Sequence, residues 1–312
     1  VAAATAAATV AATAAETADA GQIARKGYSV QELRDGLYWL ADGAYNTMFL
    51  VSDTGVIAVD PLPTIGAKYL QAVAEVTDRP VTHIVYSHAH TDHIGAAALF
   101  PPGAAIVAHS ETAATLARLK DPRRPLPTRT FDAGLTLTVG DQSLRLDYKG
   151  INHDAGNIFI HAPRQRVLML VDVIYPGYAP YPDLGIAVDV PGYMQAHRDA
   201  LAYDFDLLVA GHVDRLGTRE DVWTSLEFVG DLQAVSAAAL AALPFPAFLK
   251  TAPAGNRWFL HDDYEAELVE RCYADLLPRW KDRLAGLERS LRSHCRTMIV
   301  AQVVQLPPAP PR

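Results

Sequence analysis

Short apolar runs rich in β-branched residues alternate with helix-forming segments through the first 130 residues, with turn-forming residues between them. The runs predict buried or half-buried strands, and the segment that follows residue 51 carries a hairpin turn at Asp53, Thr54 and Gly55. The strands of this first block are predicted at residues 37–41, 47–60, 81–87 and 104–108, and its helices at residues 64–78, 94–100 and 111–120.

A second block repeats the alternation further along the chain. Its strands are predicted at residues 135–139, 143–148, 158–161, 167–171 and 207–210. Two successive blocks of strands and helices favour an α/β layered protein with mixed sheets. From about Val222 the pattern becomes helical, and Asp262 or Asp263 is predicted to cap a long C-terminal helix that is interrupted at Pro278.

Composition agrees with a folded protein and narrows its partners. Half of the 312 residues are hydrophobic and 20% are charged, which argues against a largely disordered chain. The net charge of −8 argues against a broad, nonspecific nucleic-acid surface, so no nucleic-acid partner is expected. The apolar runs are shorter than a bilayer span, so no membrane span is predicted. A homo-oligomer stays open.

The two ends of the chain have unusual compositions. Residues 1–25 are predicted to form an Ala-rich arm or the remnant of a secretory signal, with Ala18, Asp19 and Ala20 as a small-residue cleavage pattern. Both a periplasmic or secreted location and a cytoplasmic one stay open. Residues 306–312 (LPPAPPR) predict an extended tail. The two cysteines, Cys272 and Cys295, are too few for a Cys-rich zinc site, and their pairing is left open.

A cluster of ligand-type side chains follows the strand predicted at residues 81–87. His88, His90, Asp92 and His93 fall within six residues, and Gly95 allows close backbone approach. Neutral imidazoles and carboxylates are good ligands for Zn²⁺ and for iron. The first two histidines are spaced to chelate one ion from an extended backbone, and the adjacent Asp and His point elsewhere, toward a second ion.

The cluster HAHTDH resembles the HxHxDH signature of the metallo-β-lactamase fold superfamily. Later landmarks of that superfamily have counterparts here, over roughly residues 30–230. They are His153 in GINHDAGN, Asp172 at the end of VLMLVD, His212 at the end of LLVAGH, and Asp60 at the end of VIAVD. The loop around the third histidine departs from the family pattern, because Asn precedes it and Asp-Ala replaces Thr-Pro.

The resemblance implies a fold, a domain division and a ligand set. The implied fold is a four-layer αββα sandwich of two mixed β-sheets flanked by helices, with a helical C-terminal extension. The hydrolase domain is expected at residues 26–230, and the extension with its Pro-rich tail at residues 231–312. Two Zn²⁺ ions are implied, with iron or manganese as alternatives. The first ion is expected on His88, His90 and His153, the second on Asp92, His93 and His212, with Asp172 bridging both.

The implied reaction is attack by a metal-bridging hydroxide on the carbonyl of a small ester, lactone, thioester or amide, a β-lactam included. Asp92 is the expected catalytic residue, which orients the nucleophile or shuttles a proton. Asp60 is expected to hold the metal ligands in position without binding the ions itself. The tyrosines of the loop after the bridging carboxylate are candidate substrate-binding residues: Tyr175, Tyr178 and Tyr181.

Two features select a branch of the superfamily. No cysteine precedes Cys272, which excludes β-lactamases with a Cys metal ligand, and the bridging Asp172 favours the glyoxalase II and lactonase branches. Alternatives of the same fold are an iron-dependent oxidoreductase similar to the persulfide dioxygenases and a phosphodiesterase, the latter disfavoured by the negative charge. Arg123 and Arg124 are predicted to lie in a solvated loop.

Overall fold

The computed structural model describes residues 16–250, 255 and 257–306 of the chain. Most of the predicted Ala-rich arm (residues 1–15) and the Pro-rich tail (residues 307–312) lie outside the described residues. Among the helices of the described part, none is both long enough and apolar enough to cross a lipid bilayer.

The first sheet has seven strands in chain order. Strands β1 to β4 pair antiparallel, whereas β4, β5, β6 and β7 pair parallel. The strands are β1 (Ser29–Arg34), β2 (Leu37–Ala41), β3 (Asn46–Val51), β4 (Val56–Val59), β5 (Val81–Val85), β6 (Ala105–His109) and β7 (Arg129–Phe131). Parallel pairing places the carboxyl ends of β4 and β5 at the same edge of the sheet.

The second sheet has five strands in the order β12-β11-β10-β9-β8. Only β11 and β12 pair parallel, and the other neighbours pair antiparallel. The strands are β8 (Gly134–Val139), β9 (Gln142–Asp147), β10 (Phe159–Ala162), β11 (Val167–Leu170) and β12 (Leu207–Ala210). Both sheets are therefore mixed, as the sequence predicts.

Helical elements precede, connect and follow the strands. They are α1 (Ala20–Lys26), α2 (Lys68–Ala74), α3 (Thr91–Ile94), α4 (Ser110–Leu119), α5 (Pro182–Ile186), α6 (Val190–Leu201), α7 (Arg219–Ala242), α8 (Phe245–Phe248), α9 (Arg257–Trp280) and α10 (Leu287–Val304). The α5 segment is a left-handed turn rather than an α-helix, because residues 183–186 all have positive φ. The predicted domain boundary at residue 230 falls inside α7, and the division into domains stays a prediction.

Three apolar cores explain the layering. One core lies between the sheets, where Trp39 and Met48 of the first sheet meet Leu146 and Met169 of the second. A second core packs α2 and α4 on the outer face of the first sheet. The third core is the most extensive and packs α6, α7, α9 and α10 on the outer face of the second sheet. The predicted αββα sandwich with helical extension is confirmed.

Some predicted local elements are wrong. Residues 94–100 do not form the predicted helix, because α3 ends at Ile94 and only a 3₁₀ turn, Ala97–Leu99, follows. Asp262 and Asp263 do not cap α9, which already includes residue 257. Pro278 lies inside α9, within three residues of its end, so it does not interrupt the helical stretch as predicted.

Two further features fix the ends of the described chain. Residues 16–26 pack on the body: the backbone N–H of Ala18 donates to the carbonyl of Asp214, and the Asp19 carboxylate caps α1. Cys272 of α9 and Cys295 of α10, both fully buried, form a disulfide. The cysteine pairing left open by the sequence is therefore present, and it joins the two longest helices of the C-terminal end after α7.

Candidate metal centre

The ligand-type residues converge where strands of both sheets end. His88 follows β5, Asp172 follows β11 and His212 follows β12, while His153 lies in the loop between β9 and β10. The parallel pairs β4–β5 and β11–β12 present their carboxyl ends toward one place, so side chains distant in sequence become neighbours. Backbone strain accompanies this convergence, because Asp172 has a φ of +61°.

The first group of side chains contains His88, His90, His153 and Asp172, with one ligand atom from each within 4.8 Å of the others. The Nε2 atoms of His88 and His153 lie 3.7 and 3.2 Å from Oδ2 of Asp172. Nε2 of His153 also lies 3.0 Å from Nδ1 of His90. All except His90 are buried, so this group is enclosed by protein.

The second group contains Asp92, His93 and His212 and shares Asp172 with the first. Nε2 of His93 lies 3.0 Å from Oδ2 of Asp172, and Nε2 of His212 lies 3.0 Å from its Oδ1. The side chains of Asp92 and His212 are 44% and 25% exposed, so this group opens to solvent. The seven residues that the sequence singles out as ligands therefore meet in two overlapping groups.

Burial and the close approach of imidazoles and carboxylates shift the pKa values of several groups in the centre. Burial opposes charge on Asp172, but the neighbouring imidazoles of His93 and His212 outweigh it and lower the pKa of the carboxyl well below its usual range. Burial likewise opposes charge on His93, yet the Asp172 carboxylate raises its pKa to about 9. Burial lowers the pKa of His88 well below its usual value, which leaves that imidazole neutral.

One buried atom tests whether the residues fit a metal ion. Nε2 of His88 is buried and has no hydrogen-bond partner within the described residues. Its other ring nitrogen, Nδ1, lies 2.9 Å from the Ser87 hydroxyl. Buried polar atoms are almost always partnered, so a neutral imidazole nitrogen without a partner and within reach of a carboxylate and other imidazoles is a fitting ligand for a divalent cation. The donor set fits Zn²⁺ and also iron.

Asp60 follows β4 and contacts the backbone directly before His88. Its Oδ1 accepts a 2.7 Å hydrogen bond from the backbone N–H of Ser87, the residue before His88. The side chain is fully buried, and burial raises the pKa of its carboxyl to about 6, although His93 opposes this. The contact ties the end of β4 to the start of the ligand loop.

The residues that depart from the family pattern also hold the ligand loops. The side-chain oxygen Oδ1 of Asn152 accepts from the backbone N–H of His153 at 2.7 Å and from the side-chain amide of Asn157 at 2.9 Å. The Asp154 carboxylate accepts from the backbone N–H of Ala89, between the first two histidines, at 3.4 Å. The substituted loop thus keeps a fixed shape through its own hydrogen bonds.

Comparison of the chain with known protein families agrees with this geometry. The model of the metallo-beta-lactamase superfamily matches residues 40–212, which include all seven ligand-type residues. The chain belongs to the metallo-beta-lactamase superfamily. The predicted family resemblance is therefore confirmed.

Relatives within the superfamily differ in what they are named for. The chain is 32% identical over 222 residues to the 2,4-dinitroanisole O-demethylase subunit alpha of Nocardioides sp. (strain JS1661), covering 69% of this chain and 64% of that protein. It is 22% identical to the subunit beta of the same name and strain, covering 77% of this chain and 74% of that protein. It is 26% identical to the metallo-beta-lactamase type 2 of Elizabethkingia meningoseptica, covering 45% and 59%.

Solved structures show the same fold. A metallo-beta-lactamase from Pontibacter korlensis superposes with a TM-score of 0.56 at 20% identity, covering 64% of this chain and 97% of that one. Metallo-beta-lactamase IND-7 gives a TM-score of 0.57 at 20% identity, covering 66% and 99%. Superfamily structures therefore match most of their own length on about two thirds of this chain.

The three tyrosines that the sequence singled out in this superfamily member have different positions. Tyr175 is buried, and its ring stacks on that of His212 at a centroid distance of 5.9 Å. Tyr181 is 63% exposed. Tyr178 is also exposed, and its backbone bridges to Ala285 of the C-terminal region. The structure thus brings only the first of them against a ligand-type side chain.

Two residues of β3 and the loop before it escaped the sequence reasoning. The Tyr45 ring lies 4.5 Å from the His212 ring and 5.7 Å from the His93 ring, measured between centroids. The Asn46 amide donates to the carbonyls of His212 and Val213 at 3.0 and 2.7 Å. No local motif marks either residue, because they lie far from the histidine cluster in sequence.

Arg124 corrects another expectation. The predicted solvated loop holds for Arg123, but the Arg124 side chain is buried and donates from Nη1 to the carbonyl of Ala89 at 2.5 Å. Asp121 pairs with its Nε at 3.0 Å and keeps the buried charge compensated. Arg124 therefore fixes the backbone between the first two histidines.

The backbone at Gly211 approaches the centre too closely for any side chain. A Cβ at this position would lie 2.7 Å from Oδ1 of Asp172 and 2.9 Å from Cε1 of His93. A glycine before His212 is thus a steric requirement of the second group.

Proposed function

We propose that this superfamily member is a metal-dependent hydrolase that holds two divalent cations, Zn²⁺ first among them, and cleaves a small ester, lactone, thioester or amide, with a β-lactam as one such amide. The observation that carries the proposal is the pair of ligand groups sharing one buried carboxylate, Asp172. The first cation would be held by His88, His90 and His153. The second would be held by the more exposed group of Asp92, His93 and His212, and Asp172 belongs to both. Two such cations supply a hydroxide nucleophile at neutral pH and polarise a carbonyl oxygen.

Asp92 is the proposed proton carrier. Its Oδ2 lies 3.5 Å from Nε2 of His93 and 3.8 Å from Nε2 of His212, and half of its side chain faces solvent. A carboxylate in this position can accept a proton at the metal centre and pass it to a leaving group at the open side.

Two tyrosine hydroxyls are proposed to bind the substrate. Burial, followed by the nearby Asp172 charge, raises the pKa of Tyr175 well above its usual value. Burial, followed by the Asp92 charge, also raises the pKa of Tyr45. Both phenols therefore stay protonated at neutral pH and can donate to an oxygen on which charge develops. Their rings lie against His212, so they also offer an aromatic wall.

An apolar rim supports a substrate with a hydrophobic part. We use this name for four exposed side chains near the ligand loop: Ile151, Tyr181, Ile186 and Val188. The rim is joined to the centre by backbone, because the N–H of Val188 donates to the carbonyl of His153 at 3.2 Å. Exposed apolar side chains concentrated beside a metal centre favour binding of a small apolar or aromatic group.

A second candidate activity is cleavage of an activated aryl methyl ether. It is favoured by the 32% identity to the α-subunit of 2,4-dinitroanisole O-demethylase together with the aromatic wall of Tyr45 and Tyr175. Since the chain is similar to both an α- and a β-subunit of that name, a second chain of this superfamily or a second copy is the proposed partner.

The test is metal analysis of the purified protein followed by turnover on a matched panel. The Zn²⁺-loaded protein is assayed with an aryl ester, a lactone, a thioester, a β-lactam, a phosphodiester and 2,4-dinitroanisole, with methanol release as the readout for the last. Two ions per chain and turnover of a carboxylic substrate support the first candidate, and methanol release supports the second.

The same experiment separates the alternatives. Turnover only of the phosphodiester identifies a phosphodiesterase, and iron with thiol-dependent oxygen uptake identifies an oxidoreductase. A folded protein that binds no divalent cation at micromolar concentration refutes the proposal in every form.

A further inference from the structure

The left-handed turn α5, Pro182–Ile186, is an unusual backbone next to the proposed metal site. Asp183, Leu184, Gly185 and Ile186 have φ values of +58°, +58°, +67° and +52°. Three of these four are not glycine, and consecutive left-handed residues are sterically unfavourable for L-amino acids. Such a conformation persists only where its surroundings fix it, and it occurs preferentially at functional sites.

The turn contacts the proposed metal ligand His153. The Gly185 carbonyl accepts a 2.7 Å hydrogen bond from Nδ1–H of that imidazole. This contact puts the proton on Nδ1 and leaves the Nε2 lone pair facing Asp172, 3.2 Å away. The turn also packs closely against the centre, so that residue 185 has no room for a side chain. A Cβ there would lie 2.9 Å from the Tyr175 hydroxyl and 3.1 Å from the Asp172 carbonyl.

The C-terminal helix α10 holds the other side of this turn. The backbone N–H of Asp183 donates to the Ser293 hydroxyl at 2.9 Å, and that of Leu184 donates to Nδ1 of His294 at 3.2 Å. The Thr297 hydroxyl donates to the Asp183 carboxylate at 3.2 Å. Two backbone donors of a strained turn are therefore satisfied by one helix.

His294 is suited to be a fixed acceptor. It is fully buried, packs edge-on against Phe228 at 6.0 Å, and precedes Cys295, which the disulfide ties to α9. Burial lowers the pKa of this imidazole to about 3, although the Pro180 carbonyl opposes the shift. The ring is therefore neutral across the physiological range, and its Nδ1 lone pair stays available to Leu184.

We infer that α10 is a positioning element for the metal centre: Ser293, His294 and Thr297 fix the left-handed turn, and the turn orients His153 as a ligand. The inference rests on the proposed function, because it assumes that His153 binds a metal ion. The three side chains lie outside residues 40–212, the part that matches the superfamily model. Partners that orient a metal-bound histidine typically change metal affinity 10- to 100-fold when they are removed.

The experiment compares His294→Leu with His294→Asn in the full chain. Leucine removes the acceptor for the Leu184 N–H, whereas the asparagine carbonyl can replace Nδ1. Ser290→Ala is the matched control, because Ser290 is a buried residue of the same helix whose hydroxyl has no partner within the described residues. Zn²⁺ affinity is measured by competition with a chromogenic chelator, and the ligand field by the visible spectrum of the Co²⁺ protein.

The expected result is a roughly 10-fold or greater loss of affinity for the tighter-bound ion in His294→Leu, with a shifted Co²⁺ spectrum. His294→Asn should recover most of both, and Ser290→Ala should match the wild type. Wild-type affinity and spectrum in folded His294→Leu would overturn the inference, as would an equal loss in the control.

Two further outcomes are separated by design. If His294→Leu does not fold, the double variant Ser293→Ala/Thr297→Val decides, since both hydroxyls lie toward the surface side of the turn. If the wild type itself binds no metal, the proposed function fails; if it binds two ions and the variants bind them equally well, only the positioning role fails.

Discussion

The β-sandwich and the C-terminal helices contribute to the candidate centre in opposite ways. The sandwich supplies every ligand-type side chain, at strand ends and in the loops between strands. The helices α7 to α10 supply none of them, but they bury the outer face of the second sheet and hydrogen-bond the turn behind His153. One region therefore determines which atoms could bind metal, and the other determines how firmly one of them is held.

This comparison shows that the ligand side chains and some of the residues that hold them in position lie in different parts of the chain. The ligand side chains lie in the part of the chain that matches the superfamily, whereas the turn that contacts His153 is hydrogen-bonded by residues beyond it. Substitutions in the sandwich should change metal content and turnover, and substitutions in the helices should change stability and affinity. Each prediction below tests that division.

The largest effect is expected from Asp172→Ala. This carboxylate belongs to both ligand groups, so its loss should reduce the metal content below two per chain and lower kcat/KM by at least about 1,000-fold, because charge stabilisation and both ions are affected together. Metal analysis and turnover measure it, with the exposed Asp78→Ala as control. Two ions and near-normal turnover in the variant would remove the centre as the site of catalysis.

Asp92→Ala should lower kcat by about 100-fold or more while the protein stays folded. The residue is half exposed and belongs to one group only, so its loss removes a proton carrier and one ligand without opening the core. Kinetics and thermal unfolding are measured together, against Asp282→Ala, an exposed carboxylate of the helical region. Full activity in the Asp92 variant contradicts the assigned role.

Replacing both Cys272 and Cys295 by alanine should lower the free energy of unfolding by about 3 kcal/mol, the size expected for a disulfide closing a loop of this length. The disulfide joins α9 to α10 and contacts no ligand-type residue directly, so the metal content at saturating Zn²⁺ should stay at two. Denaturant unfolding and metal analysis decide. An unchanged midpoint would show that the helical region does not depend on this crosslink.

The smallest effect concerns the pH dependence of stability through His197. His197 of α6 donates from Nδ1–H to the Tyr193 carbonyl of the same helix, and its Nε2 accepts from the Ser225 hydroxyl of α7. Burial lowers its pKa from 6.5 to about 4. The unfolded chain therefore takes up a proton first as the pH falls, and stability is full above pH 6.5 and is lost progressively down to about pH 4.

His197→Gln, which cannot be protonated, should reduce the loss of stability between pH 7 and pH 5 by on the order of 2 kcal/mol. Urea unfolding of wild type and variant at the two pH values measures the difference. The same acid sensitivity in both proteins would assign it to other groups.

The two mixed sheets and the cluster at residues 88–93 could be predicted from local sequence patterns, whereas the more distant members of the ligand groups follow from the family resemblance. His88, His90, Asp92 and His93 stand within one turn after a β-branched strand, and alternating apolar runs define both sheets. His153 could still be found despite its altered loop because a strand follows it at the expected spacing.

What the sequence misses depends on contacts distant along the chain. Nothing near Tyr45 or Arg124 shows that they contact the ligand loops, since the partners lie on other elements. The left-handed conformation of Asp183 and Leu184 is unfavourable by intrinsic preference, and hydrogen bonds that join this turn to α10 and to His153 stabilise it. Tertiary contacts override local preference at these positions.

The contrast between Gly211 and the apolar rim has a consequence for how new activities arise in such a protein. Position 211 tolerates no side chain, whereas Ile151, Ile186 and Val188 are exposed. Libraries that randomise positions 151 and 188, which lie outside the left-handed turn α5, should therefore yield variants with altered selectivity and an unchanged metal centre. We expect natural substitutions at those exposed positions to change substrate preference in the same way and to leave the residues of the metal centre unchanged.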